Sequence, residues 1–86
     1  MSPQTYAIWW DEGEGRRRAG KLEFGPLHAL LSGNGHSRLA VPLDRIAGVE
    51  LFRGEVLVHR TGEPTLRIGS LDAPGSLREL AGRLVR

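Results

Sequence analysis

Apolar and polar residues alternate in short runs along most of this chain, and the period changes once, close to the C-terminus. Residues 5–10 (TYAIWW) are strong strand formers, too few for a helix. Period-two alternation puts Tyr6, Ile8 and Trp10 on one face and Ala7 and Trp9 on the other, so this strand is expected to be covered on both sides. Residues 11–20 (DEGEGRRRAG) read as a polar loop whose acidic half folds back on its arginines. A strand over 21–24 turns Leu22 and Phe24 inward, Gly25-Pro26 breaks it, and 27–31 follows before a loop at 32–37.

The run from 38 to 71 is the most regular part of the chain. Leu39, Val41 and Leu43 alternate, with Pro42 marking an edge or bulge because it has no N–H to give a ladder. Residues 44–48 read as a short connection in which Ile46 plugs the core, followed by strands at 49–53, 56–60 and 65–68 separated by turns at 54–55 and 61–64. Strands at this spacing predict an antiparallel sandwich or barrel.

After residue 71 the apolar positions Leu77, Leu80, Ala81, Leu84 and Val85 recur at helical spacing, which predicts one amphipathic helix over about residues 73–85. Asp72 or Ser76 can cap it, Ser76 and Glu79 have the spacing of a capping box, and Pro74 suits a first turn. Gly82 weakens this helix and suggests close approach to the sheet. No repeat or linker divides the chain, so residues 1–86 are expected to form one domain, with its strands between about 5 and 70.

The segments GKLEFGPLHALLSG, LAVPLDRIAGVELF and SLRELAGRL, with the pattern apolar-x-Pro-Leu-x-x-Ile-x-x-Val from Val41 to Val49, resemble the pleckstrin-homology-like superfold, in particular its small bacterial and GRAM-type members. The resemblance implies a mainly β fold: a bent antiparallel barrel of six to seven strands closed by one C-terminal amphipathic helix. Some members of that group bind phosphoinositide headgroups through basic residues after the first strand. Arg16, Arg17, Arg18 and Lys21 fall in that place, and guanidinium groups suit phosphate oxygens. Glu23, at the next outward position after Lys21, departs from the family's alternating basic pattern.

Composition narrows the function classes. The chain has no cysteine, which removes disulfides and thiolate metal sites. His28, His36 and His59 are not spaced as ligands and read as surface histidines, so no metal or cofactor is expected. No nucleophile elbow, Walker loop or dinucleotide fingerprint is present, and the reading is non-enzymatic. Eleven arginines and one lysine leave a formal charge of only +2, and the few aromatic residues are not interleaved with the arginines, which argues against a nucleic-acid partner. The N-terminus has neither a basic nor a long apolar region of signal-peptide type, giving a cytoplasmic expectation.

What remains is binding. Trp9 and Trp10 leave two arrangements open: one fills the barrel while the other packs under the helix, or one is exposed and anchors a partner. Phe52, Leu57 and Leu30 fall out of phase with the inward residues of their strands and extend that apolar outer surface. The sequence therefore predicts a binding or scaffolding module that engages a protein partner, or itself as an oligomer, through Trp9, Trp10, Phe52 and Leu57. Its alternative is a peripheral membrane or anionic-ligand adaptor using residues 16–21.

Overall fold

The computed structural model describes residues 5–13, 15–71 and 75–85. They form seven antiparallel strands and one helix: β1 (Thr5–Asp11), β2 (Arg18–Phe24), β3 (His28–Gly33), β4 (Ser37–Pro42), β5 (Ile46–Phe52), β6 (Glu55–Arg60), β7 (Glu63–Ser70) and α1 (Gly75–Leu84). One sheet holds all the strands in the order β4-β3-β2-β1-β7-β6-β5. The two meanders, β1–β4 and β5–β7, are joined through β1, whose first residues pair with β2 alone, whose Ile8, Trp9 and Trp10 pair with both β2 and β7, and whose Asp11 pairs with β7.

Six strand spacings of about 4.8 Å would make a flat sheet about 29 Å wide and one layer thick. The domain instead measures 33 × 29 × 26 Å, so the sheet is strongly bent. Its inner face gathers Tyr6, Ile8, Trp10, Leu22, Leu31, Val41, Val56, Val58, Leu66 and Ile68 in a single core with Leu77, Leu80 and Leu84 of α1. The barrel is not closed. Among the described residues β4 and β5 are the two edges, linked in sequence by a single 3-10 turn, Leu43–Arg45.

A place where β2 and β3 come unusually close shapes this bend. A Cβ built on Gly20 would lie 1.9 Å from the backbone oxygen of Ser32, so only glycine fits there. At the other end of the sheet, Arg53 and Gly54 (φ 53° and 76°) form the two-residue turn between β5 and β6, and a register shift at Ile46/Gly48 bends the start of β5.

Several boundaries differ from the sequence reading. β1 runs on to Asp11 and β2 begins at Arg18, so the polar loop is shorter than residues 11–20. Asp11 is nonetheless 3% exposed, since its carboxylate turns back to accept the N–H of Gly13 at 3.1 Å. Ile46 opens β5 rather than lying in a connection. Ser76 lies within α1, its hydroxyl against that of Ser70, while Glu79 accepts the Tyr6 hydroxyl at 2.9 Å. These two residues therefore do not make a capping box. Asp72 and Pro74 lie outside the described residues.

Gly82 approaches nothing: a Cβ there would meet open space. With no packing reason for glycine, Gly82→Ala should raise the unfolding free energy by about 1 kcal/mol through helix propensity alone, measurable by urea denaturation. An unchanged or lowered midpoint would show that the glycine has a contact the fold does not display.

Candidate binding surface around Trp9

Adjacent residues of β1 point to opposite faces, and this separates the two tryptophans. Trp10 is 1% exposed within the core, its indole N–H donating to the carbonyl of Ser32 at 3.0 Å. It is therefore withdrawn from the interface residues expected above. Trp9 does not pack under the helix, which lies on the core side. It occupies the outer face, opposite Ala19 on β2 and Gly69 on β7. A Cβ on Gly69 would fall 2.1 Å from two atoms of the indole, so the ring rests directly on this backbone.

Two arginines complete the seat. The Arg17 guanidinium carbon lies 3.9 Å from the indole centroid, and that of Arg67 lies 5.9 Å away. Arg67 donates to both carboxylate oxygens of Glu55, from Nε at 3.1 Å and Nη2 at 3.1 and 3.0 Å, and its Nη1 stands 3.8 Å from Asp11 Oδ2. The hydrogen bonds that Arg67 donates to Glu55, and then the charge of Glu55, raise the pKa of Arg67 above the ordinary arginine value. Arg17 reaches Glu55 at 4.0 Å. Trp9 is thus half-buried, fixed from below by a glycine and from above by a guanidinium, with the carboxylates already compensated.

The same face carries other residues singled out in the sequence. Leu57 is half-buried between Glu50 and Arg67 in the cross-strand register. Phe52, paired with Glu55, is 58% exposed with Arg53 5.2 Å above its ring. Leu30 is 48% exposed, but it stands on β3 next to Glu23, on another part of the sheet. A row the sequence did not reveal crosses β5, β6 and β7: Glu50 Oε2 lies 2.6 Å from His59 Nε2, and His59 Nδ1 lies 3.2 Å from Thr65 Oγ1. The three residues are 9 and 6 positions apart along the chain, so only the strand register brings them together.

The four basic residues from Arg16 to Lys21 do not converge, and Arg18 and Lys21 lie on β2 rather than in the loop. Arg17 lies over Trp9 outside, whereas Arg18 turns inward, 4.8 Å from the Trp10 ring, with Nη1 shut from solvent and lacking a partner among the described residues. Lys21 is engaged by Glu23 at 3.1 Å, and Arg16 is exposed. Nor do the acidic residues fold back on this cluster: Asp11 faces Arg67, and Glu12 bonds Arg60 at 3.3 Å. Glu14 lies outside the described residues.

The fold is shared with a solved structure. A crystal structure of the C-terminal domain of an unknown protein from Leishmania infantum superposes with a TM-score of 0.71 over 95% of this chain and 82% of that one, at 14% identity. At that identity the likeness concerns the fold. No protein-family model and no curated protein matches the sequence.

Gly69→Ala tests the Trp9 seat. The added methyl must displace the indole, at an expected cost of about 1–3 kcal/mol, and should shift tryptophan emission to longer wavelength as Trp9 moves into water. An unchanged spectrum and stability would mean that the indole does not rest on Gly69.

Proposed function

We propose that this chain is a non-enzymatic binding module of pleckstrin-homology-like type that engages a protein partner, or a second copy of itself, through the outer face of β1, β7 and β6. The observation that carries the reading is the pre-set Trp9. A half-buried indole between two arginines has the residue types that dominate binding energy at interfaces, and its fixed ring loses little freedom on binding. Leu57 and Phe52 extend the apolar area outward, and Glu55 and Asp11 hold Arg67 in place beside it.

A pull-down from the source cell with wild type, Trp9→Ala and Arg16→Ala/Arg17→Ala/Lys21→Ala chains tests this proposal. A hot-spot tryptophan should cost at least about 2 kcal/mol, roughly thirty-fold in affinity, so the specific partner is lost from Trp9→Ala. Retention should persist at high salt if apolar contact dominates. Should Trp9→Ala retain the same partner, the reading fails. Binding to phosphatidylserine vesicles that survives Trp9→Ala and disappears in the triple variant would favour the membrane-adaptor alternative.

A further inference from the structure

The free edge of β5 carries a second inference, independent of the Trp9 face. The turn Arg53-Gly54 has positive φ at both residues, the geometry of a two-residue hairpin loop, so the flanking Phe52 and Glu55 exchange main-chain bonds. Bonded pairs alternate along an antiparallel ladder. Glu50 therefore bonds Leu57, and Val49 and Leu51 turn their N–H and C=O groups away from β6. The far side of the sheet gives the same parity. Leu71 N–H bonds the Ala7 carbonyl at 3.0 Å, which assigns Gly69 and Arg67 to β1 and leaves Leu66 and Ile68 for β6. Their partners Val58 and Val56 thus bond β7, and Leu57 is left for β5. Neither Val49 nor Leu51 has another main-chain partner among the described residues.

Sheet edges are ordinarily kept from pairing with other chains by proline or by charged side chains, lysine above all. The β4 edge carries Arg38 and Pro42. β5 (IAGVELF) has no proline and no basic residue, and its one charge, Glu50, is taken up by His59 at 2.6 Å. Its last two residues are apolar and open to solvent, Leu51 by 46% and Phe52 by 58%. The helix packs beside β5 without covering this end: a cleft of about 340 Å³ separates Leu51 and Gly54 from Gly75, Leu77 and Arg78.

We infer that the occupant of this edge is β5 of a second copy, paired antiparallel about a two-fold axis through Leu51. Of the registers centred on Val49, Glu50 or Leu51, the last is self-complementary. Centring on Glu50 sets two carboxylates face to face, and centring on Val49 runs the pairing into the bend at Ile46/Gly48. With Leu51 at the axis, the two leucines exchange both main-chain bonds and their side chains meet at the mouth of the cleft. Glu50 then lies opposite Phe52 of the second copy, whose ring carries the Arg53 guanidinium 5.2 Å away. Arg53 is exposed and within ion-pair distance of no carboxylate among the described residues, so Glu50 of each copy meets an unpaired cation of the other. The two-fold makes this contact twice. So short an edge buries less than the roughly 1,200 Å² of a stable interface, and the dimer is reversible and concentration-dependent.

Sedimentation equilibrium from about 10 µM to about 1 mM should show the mean mass rising from monomer toward dimer. Over the same range the Val49 and Leu51 amides should exchange more slowly with solvent. Leu51→Lys, at a position already exposed, should stay monomeric with an unchanged urea midpoint. Glu50→Arg and Arg53→Asp should each weaken the dimer by at least about two-fold, the scale of an exposed ion pair, and aspartate before glycine suits the turn. The double variant Glu50→Arg/Arg53→Asp exchanges the charges and should restore association, which a purely structural role of either residue would not do. Trp9→Ala should dimerise as the wild type does. The inference is overturned if the chain is a monomer throughout, if Leu51→Lys associates equally, or if the double variant is no tighter than the singles. Loss of the dimer in Trp9→Ala would also overturn it and would move self-association to the Trp9 face.

Discussion

Replacing Trp10 by alanine should lower the unfolding free energy by about 3–5 kcal/mol, the range for deleting a fully buried aromatic side chain. Trp10 is 1% exposed and is the largest of the fully buried side chains. Its loss would leave a cavity where β1, β2 and β7 meet, and would remove the N–H that bonds the Ser32 carbonyl. A domain of this size has a total stability of roughly 4–13 kcal/mol, so Trp10→Ala should be marginally folded at room temperature. Trp10→Phe keeps a ring and loses the bond together with part of the volume, for an expected cost of about 1–2 kcal/mol. Trp9→Ala, on the half-buried outer face, should cost less than Trp10→Ala. Urea denaturation followed by circular dichroism compares the three, and equal losses for Trp9→Ala and Trp10→Ala would refute the assignment of the two rings to opposite faces.

Gly20→Ala is the second large effect, and it arises from the backbone. The methyl would be built 1.9 Å from the Ser32 oxygen, 2.6 Å from the Ser32 carbonyl carbon and 2.7 Å from the Gly33 Cα. None of these atoms belongs to a side chain that can rotate away. Relief requires β2 and β3 to separate beside the Lys21–Ser32 pair, with an expected loss of about 3 kcal/mol or more, at the upper end of overpacking costs. Hydrogen exchange should show the amides of β2 and β3 losing protection before those of β6 and β7. Gly33→Ala meets one side-chain atom, the Arg18 Cβ at 2.8 Å, rather than backbone, at the end of β3, and should cost less. If Gly20→Ala unfolds at the wild-type midpoint, the close approach of β2 and β3 is not what shapes the bend.

Much of the fold was legible along the chain. Tyr6, Ile8 and Trp10, then Leu39, Val41 and Leu43, sit on the core side because a strand has a period of two and one face of this sheet is dry. The switch to helical spacing at Leu77, Leu80 and Leu84 was equally direct. Pro42 marked a sheet edge, and β4 is one. Strand ends were less legible: Asp11 looks like loop chemistry, yet Arg67 on β7 and the turn at Gly13 hold it at the end of β1.

The candidate surface was only half legible. Leu57 and Phe52 could be placed on the outer face from their phase, while the sequence left open whether a tryptophan joined them or both were buried. That Trp9 lies there follows from the pairing of β1 with β7 and from Gly69, some sixty residues later, whose missing Cβ makes room for the ring. The run Arg16-Arg17-Arg18 reads as one positive cluster because sequence neighbours look like spatial neighbours. In an extended chain they are not, and Arg17 and Arg18 ended on opposite sides of the sheet, each stacked on a different tryptophan.

The sequence by itself determined the strands, the terminal helix and the inward set of side chains, since periodicity and turn residues are local and the hydrophobic effect acts on each face as a whole. Tertiary structure alone decided what those elements present to the outside. The pairing of β1 with both β2 and β7 selects Trp9, and the failure of β4 to meet β5 leaves the barrel open. Both depend on register between strands distant in the chain, a quantity set by the closing of the whole sheet around its core rather than by any segment of it.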